Sequence, residues 1–283
     1  MAPPRLSIIT CCKGRLAYLK RALPTFVGQT QSEVIVVDYG CPDGTKDWLA
    51  IHFPDVHVGS VTNTPLFNLS HARNVGARLA NARWLVFADA DQLLTASFAT
   101  ELLATLIPGT YLRTLRQTPR GPMKQGVPLA CETDSFWAVG GYDDAFAGWG
   151  AEDLDFIDRL DRAGIRELTG AASLVETLRH SNTERSTHYE HDIDVSMVIN
   201  HHYAKIKQRY FETRGRWFTD QQRHGTYRLV KLAVLDSLTN TDGNRTFDIR
   251  IADSVPPWTA RLNASGVRSY HNLQRSALSR TIL

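Results

Sequence analysis

The chain has 283 residues, a formal net charge of +3, 43% hydrophobic and 22% charged residues. That length supports a large core. The near-balanced charge argues against nucleic acid as a partner and gives no electrostatic case for a membrane surface. Four cysteines, Cys11, Cys12, Cys41 and Cys131, show no CxxC spacing, and adjacent Cys11 and Cys12 cannot make an ordinary disulfide, which predicts reduced thiols and a cytoplasmic setting. Strand-like sequence from Leu6 predicts no signal peptide, and no apolar run has the length of a membrane span, so any membrane association would be peripheral.

Leu6–Thr10 reads as a first strand. Arg15–Val27 follows with apolar residues at helical spacing, and Pro24 predicts a kink or an early end. Val34–Asp38 reads as a buried strand closed by Gly40, Pro42 and Gly44, then Lys46–His52 as a short helix and Val56–Val61 as a third strand. Ser70 is the expected cap of a helix to about Ala80, with Ala72, Val75, Gly76 and Leu79 inward. Residues 84–92, Trp-Leu-Val-Phe-Ala-Asp-Ala-Asp-Gln, form an apolar strand that ends in two acids, and a helix is expected near Ser97–Leu106. This alternation predicts an α/β sheet with parallel strands. The Gly- and Pro-rich stretch Pro119–Pro128 reads as a loop, Thr133–Val139 as a short helix, Glu152–Arg162 as a strong one, Leu174–Leu178 as a strand and Val195–Tyr210 as a helix. Residues 211–283 carry no clear motif, and Thr239–Thr246 is turn-rich.

Asp89 and Asp91 carry the most chemistry. An unpaired buried carboxylate is strongly penalised, so both belong where the strand emerges, which is where open α/β sheets bind ligands. In an extended segment, residues two apart share a face. Two carboxylates on one face suit a hard divalent cation that bridges to phosphate oxygens. The competing reading is a solvated turn or a helix cap. A dinucleotide-binding dehydrogenase is disfavoured, because only Gly14 stands where G-x-G-x-x-G would be needed. Asp38, at the end of its strand, either accepts hydrogen bonds from a nucleotide or shapes a turn with Asp43.

The segments SIITCCKGRLAYLKRAL, VIVVDYGCPDGT, FNLSHARNVGARLA and FADADQ stand in the order and spacing of a family 2 glycosyltransferase, and the resemblance covers about residues 5–185. It implies the GT-A fold, a Rossmann-like mixed α/β sheet flanked by helices, which binds a nucleotide-sugar and a divalent metal. By this likeness Thr10 and Asp38 contact the nucleotide. Tyr39 replaces the second of the family's paired aspartates and offers a ring to stack on the base. Arg73 and Asn74 become phosphate or ribose contacts, and Asp89 and Asp91 become the DXD metal motif, with Mn²⁺ or Mg²⁺ expected from oxygen ligation.

Residues 140–155 add Gly-Gly-Tyr-Asp-Asp-Ala-Phe-Ala-Gly-Trp-Gly-Ala-Glu-Asp-Leu-Asp. The segment resembles the G-W-G-x-E-D pattern of β-1,4-galactosyltransferases, bacterial chondroitin polymerase domains and polypeptide N-acetylgalactosaminyltransferases. The likeness implies that Asp153 is the base of an inverting transfer, that Glu152 contacts the sugars and that Trp149 packs where donor meets acceptor. Read simply as acids at a helix start, Glu152 and Asp153 would only decorate the dipole. Related enzymes take a histidine metal ligand after one further strand, which points to His180, with His188 and His191 as competitors and Arg179 and Arg185 as phosphate partners.

The expected organisation is a GT-A domain over 1–190 and a mainly helical extension over 191–283 for acceptor binding or self-association. The expected activity is inverting, metal-dependent transfer of galactose or an N-acetylhexosamine from a UDP-sugar to a hydroxyl of a glycan, glycolipid, protein or small molecule. A non-catalytic nucleotide-sugar or glycan-binding module and a sugar nucleotidyltransferase are the alternatives. Loss of the acids would mark the first and a Gly-rich basic first loop the second, and the chain has neither feature.

Overall fold

The structure, a computed structural model, describes residues 3–118, 121–179, 181, 184, 186–240, 245–251 and 257–279. They fall into two compact units: Met1–Asp143 with Asp153–Ser181, and Asp144–Glu152 with Asn182–Leu283. No helix among the described residues is long and apolar enough to cross a membrane.

The first unit is built on a seven-stranded sheet. In chain order its elements are β1 (Leu6–Cys12), α1 (Leu16–Val27), β2 (Ser32–Asp38), α2 (Thr45–His52), β3 (His57–Ser60), α3 (Leu69–Leu79), β4 (Trp84–Phe87), β5 (Gln92–Leu94), α4 (Phe98–Thr105), β6 (Thr110–Thr118), β7 (Gly121–Glu132), α5 (Thr133–Ala138), α6 (Glu152–Arg162), β8 (Arg166–Gly170) and β9 (Val175–Thr177). The strand order is β3-β2-β1-β4-β7-β6-β8, with β5 and β9 forming a separate pair. Strands β3, β2, β1 and β4 are parallel, whereas β7 runs antiparallel to both β4 and β6. The sheet is therefore mixed, as the GT-A likeness implies. Local alternation suggested parallel strands only, because it cannot see the hairpin that inserts β7 beside β4.

All seven residues of β1 are buried. Leu6 and Ile8 enter the core on one face, with Leu19, Phe26 and Phe98, while Ile9 and Cys11 enter the core on the other, with Phe87, Phe136 and Phe156. A central strand covered by helices on both faces has no polar side to keep, which explains its continuous apolar run.

Pro24 lies inside α1, which runs on to Val27, so of its two expected effects the early end is excluded. Three local expectations need correction. Asn68, not Ser70, caps α3, accepting from the His71 amide at 2.9 Å. Leu79 is 40% exposed, and the buried face of α3 is instead Ser70, Ala72, Arg73, Asn74, Gly76 and Ala77. Most of Pro119–Pro128 is strand: β6 and β7 form a hairpin in which Leu115, Arg116, Gln117 and Thr118 pair with Lys124, Met123, Pro122 and Gly121. Cross-strand pairing overrode a turn-like composition.

The second unit contains α7 (Ile193–Arg214), α8 (Asp220–Thr239), the antiparallel pair β10 (Thr246–Ile251) and β11 (Trp258–Asn263), and α9 (Ala264–Ser279). Its core joins Val198, Tyr203, Tyr210, Val230, Val234, Ile249, Leu262 and Val267 to Ala145 and Phe146 of the Gly-Trp-Gly segment. Asp192 caps α7 and Thr219 closes a capping box with Gln222 on α8.

Candidate active site

β4 ends at Phe87, and the Ala88 amide still bonds to Ile9 O at 3.0 Å. The chain then turns, with Gln92 N donating to Asp89 O at 3.1 Å. Asp89 to Gln92 is thus a β-turn rather than extended backbone, so the expected shared face is corrected: the Asp89 side chain is 42% exposed and the Asp91 side chain 11%. Each acid faces an arginine. Arg73 Nη2 donates to Asp89 Oδ1 at 3.1 Å, and Arg15 Nη1 stands 3.8 Å from Asp91 Oδ2. Arg73 is itself buried, with its guanidinium 4.9 Å from the Tyr142 ring centre.

Gln92 fixes the turn to the sheet. Its Oε1 accepts from the Asp89 amide at 2.9 Å, and its Nε2 donates to Val127 O at 3.0 Å on β7. From the other side, Leu178 N donates to Asp91 O at 2.7 Å as the chain leaves β9. The next residue back from Val127 is Gly126, and here Asp153 arrives. A Cβ at Gly126 would sit 1.5 Å from Asp153 Oδ2, so only glycine admits this carboxylate. Asp153 Oδ1 also accepts from the Leu154 amide at 2.8 Å. A continuous path of contact therefore runs from Asp153 through Gly126 and Val127 to Gln92 and the Asp89 turn. Sequence reasoning missed Arg15, Gln92 and Gly126. A glutamine directly after the acid turn, at a buried strand position, was the available signal for one of them.

The remaining first-unit candidates sit differently. Both Asp38 oxygens are engaged by backbone: Cys41 N donates to Oδ1 at 2.7 Å and Lys46 N to Oδ2 at 2.9 Å. Asp38 holds its own turn and the start of α2. Asn74 exchanges two hydrogen bonds with the Tyr142 backbone at 2.8 and 2.9 Å, so in this structure its amide is engaged within the protein. Tyr39 is 4% exposed, its hydroxyl is 3.0 Å from His71 Nδ1 and its ring meets Phe67 edge-on, so the ring expected to stack on a base is a core ring in this structure. Thr10 is buried, and its hydroxyl has no hydrogen-bond partner among the described residues.

In the second unit, the loop bearing Trp149 is held from its own side. Asn200 Nδ2 donates to Gly150 O at 2.8 Å and to Trp149 O at 3.3 Å, and the Tyr227 hydroxyl lies 3.0 Å from Ala147 O and from Asn200 Oδ1. Ala151, immediately before Glu152, adopts φ 70, a conformation that costs a non-glycine residue of order 1 kcal/mol. His180 and Arg185 lie outside the described residues. His188 is half-buried, and His191 Nε2 is 3.8 Å from Glu190 Oε1.

Among the described residues no three His, Cys, Asp or Glu side chains gather as a metal cluster. Two carboxylates on one turn still fit Mg²⁺ or Mn²⁺, because such a cation is commonly held by one or two carboxylates with substrate phosphates and water.

Residues 7–112 match the family model described as Glycosyl transferase family 2, and residues 120–192 match that of the N-terminal domain of galactosyltransferase. Validoxylamine A glucosyltransferases of Streptomyces hygroscopicus subsp. jinggangensis (strain 5008) and subsp. limoneus are each 24% identical over 315 residues, spanning 90% of this chain and 74% and 68% of theirs. A family 2 glycosyltransferase segment is thus followed by a galactosyltransferase-type segment, on the mixed sheet of the GT-A fold. Its fold matches the Pyrobaculum calidifontis mannosyltransferase PcManGT, solved with GDP-Man and Mn²⁺, at TM-score 0.57 and 17% identity over 99% of this chain and 81% of that one. It also matches S. aureus TarS 1–349, solved with UDP-GlcNAc, at TM-score 0.52 and 14% identity over 83% of each chain.

Proposed function

We propose that the chain is an inverting, metal-dependent hexosyltransferase that uses a UDP-sugar donor. The observation that carries this reading is the contact path joining Asp153, Gly126, Val127, Gln92 and the Asp89–Asp91 turn. It ties a candidate base to two candidate metal-binding acids within one unit.

Asp89 and Asp91 would hold the cation, Mn²⁺ or Mg²⁺, whose chemistry is to neutralise charge on the departing diphosphate. Arg73 and Arg15, each now facing one of these acids, are suited to turn toward phosphate oxygens when the donor binds. Asp153 takes the proton of the acceptor hydroxyl as its oxygen bonds to the anomeric carbon. The bond from that carbon to the diphosphate breaks on the opposite face, so the configuration inverts and no glycosyl-enzyme forms. Thr10 supports a nucleotide contact through its unpartnered hydroxyl. For Trp149 and Glu152 the proposed sugar contacts rest on the motif alone, as does metal ligation by His180. Residues 191–283 are assigned to acceptor recognition or self-association.

With validoxylamine A glucosyltransferases among the relatives, glucose joins galactose and the N-acetylhexosamines as a candidate for the transferred sugar. The test is a panel of UDP-glucose, UDP-galactose, UDP-N-acetylhexosamines and GDP-mannose with Mn²⁺, read as slow release of nucleoside diphosphate without acceptor. Validoxylamine A heads the acceptors to be tried. One UDP-sugar should be hydrolysed, and chelator should abolish the signal. Pyrophosphate as product would indicate a nucleotidyltransferase, and donor binding without turnover on any acceptor would indicate a binding module.

A further inference from the structure

The end of β1 and the turn after β2 hold a thiol pair that the proposed transfer does not use. Cys12 closes β1, and Cys41 lies in the turn after β2. Their sulfurs are 3.8 Å apart, against about 2.05 Å in a disulfide, so both are thiols. No sequence spacing announces the pair. It arises because parallel pairing sets Cys12 opposite Asp38, and the turn then brings Cys41 back beside it.

The two sulfurs have different surroundings. Cys12 is fully buried, with its sulfur 3.2 Å from Thr45 Oγ1. Cys41 is half-buried, and its sulfur accepts the Gly14 N–H at 3.1 Å. The hydrogen bond from Cys12 is the main cause holding Cys41 down, to about 5, with the Thr45 hydroxyl and the Asp43 and Gly14 amides adding to it against the effect of burial. The same shared hydrogen bond, with burial, pushes Cys12 well above the ordinary thiol range. Of the two, the accessible Cys41 is thus the more readily deprotonated sulfur. The other two thiols are unlike it: both are buried, and burial pushes Cys11 up to about 12 and raises Cys131 as well. Thiolate character and exposure together decide which cysteine is oxidised.

We propose that Cys12 and Cys41 are a site of reversible oxidation by hydroperoxides, closing to a disulfide. The Cys41 thiolate attacks one oxygen of hydrogen peroxide; the O–O bond breaks, hydroxide leaves and Cys41 becomes a sulfenic acid. Cys12 sulfur then displaces the sulfenic oxygen, forming the S–S bond and, with the Cys12 proton, releasing water. Two thiols lose two electrons and one peroxide becomes two waters. Closure draws the Cys41 sulfur off the Gly14 amide and shifts a turn bounded by Gly40 (φ 60) and Gly44 (φ 74), the turn whose Cys41 amide holds Asp38. That this shift weakens nucleotide binding rests on the proposed donor site, in which Thr10 and Arg15 stand just before and after Cys12.

The full-length protein, reduced and then treated with a small excess of hydrogen peroxide, is blocked with an alkylating agent, digested and mapped by mass spectrometry. The expected product is a cross-link between the Cys12 and Cys41 peptides, two hydrogens lighter than their sum and reversed by dithiothreitol. Cys12→Ser should stop at a sulfenic acid on Cys41 that dimedone traps. Calorimetry with UDP and Mn²⁺ should show affinity about tenfold weaker after oxidation. If the folded wild-type protein resists peroxide, or Cys41 links elsewhere, the pair is overturned whatever UDP does. An unchanged UDP affinity after linkage overturns its effect on binding. Absence of UDP binding to the reduced protein counts against the donor reading and leaves the cross-link result standing.

Discussion

Two turns at the same end of the sheet both carry strand-end aspartates, and they use them in opposite ways. After β2, both Asp38 oxygens are taken by the Cys41 and Lys46 amides, and Lys13 Nζ donates to Tyr39 O, Gly40 O and Thr64 O around the same turn. After β4, the backbone is fixed through Gln92, but the carboxylates of Asp89 and Asp91 face the guanidinium groups of two arginines. Backbone amides cannot leave a carboxylate without undoing a turn, whereas a guanidinium can exchange one anion for another. An acid at a strand end keeps its carboxylate free of its own turn when the backbone there is held by something else. In this protein that something else is Gln92.

The sharpest break between the turns is Asp91→Ala. Loss of a metal-holding carboxylate removes several kcal/mol of transition-state stabilisation, so turnover should fall about a thousandfold, with the thermal midpoint little changed. Wild-type turnover in the variant would sink the metal assignment. Asp153→Asn should lower kcat by about 10²- to 10⁴-fold while leaving UDP affinity intact, since a general base acts only as the hydroxyl attacks. Gly126→Ala should cost about tenfold to a hundredfold in kcat, because the new Cβ expels the Asp153 carboxylate from its place; unchanged kcat would dissociate that contact from catalysis. Asp38→Ala should reverse the pattern. Two charge-assisted hydrogen bonds are lost, so unfolding in urea should show about 3 kcal/mol less stability; a stability unchanged from wild type would contradict the capping role. Arg15→Gln should be mildest, below about 1 kcal/mol in stability for a long, partly exposed pair, with a few-fold rise in donor KM.

The sequence by itself determined the strand and helix alternation, the position of the acid turn and the likeness to family 2 glycosyltransferases, because apolar periodicity and short motifs are local records. Asp89, Asp91 and Asp153 were legible because they stand in such motifs. Only the tertiary structure decided which polar groups each residue meets. It turned Asp38 and Asn74 inward onto backbone, and it placed Gly126, within a stretch that reads as a loop, under the carboxylate of Asp153. It also brought Cys12 to Cys41 across 29 positions. The physical reason is common to all of these. Strand register and hairpin insertion fix contacts between residues distant in the chain, and a hydrogen-bond partner chosen at that distance leaves no trace in spacing or composition.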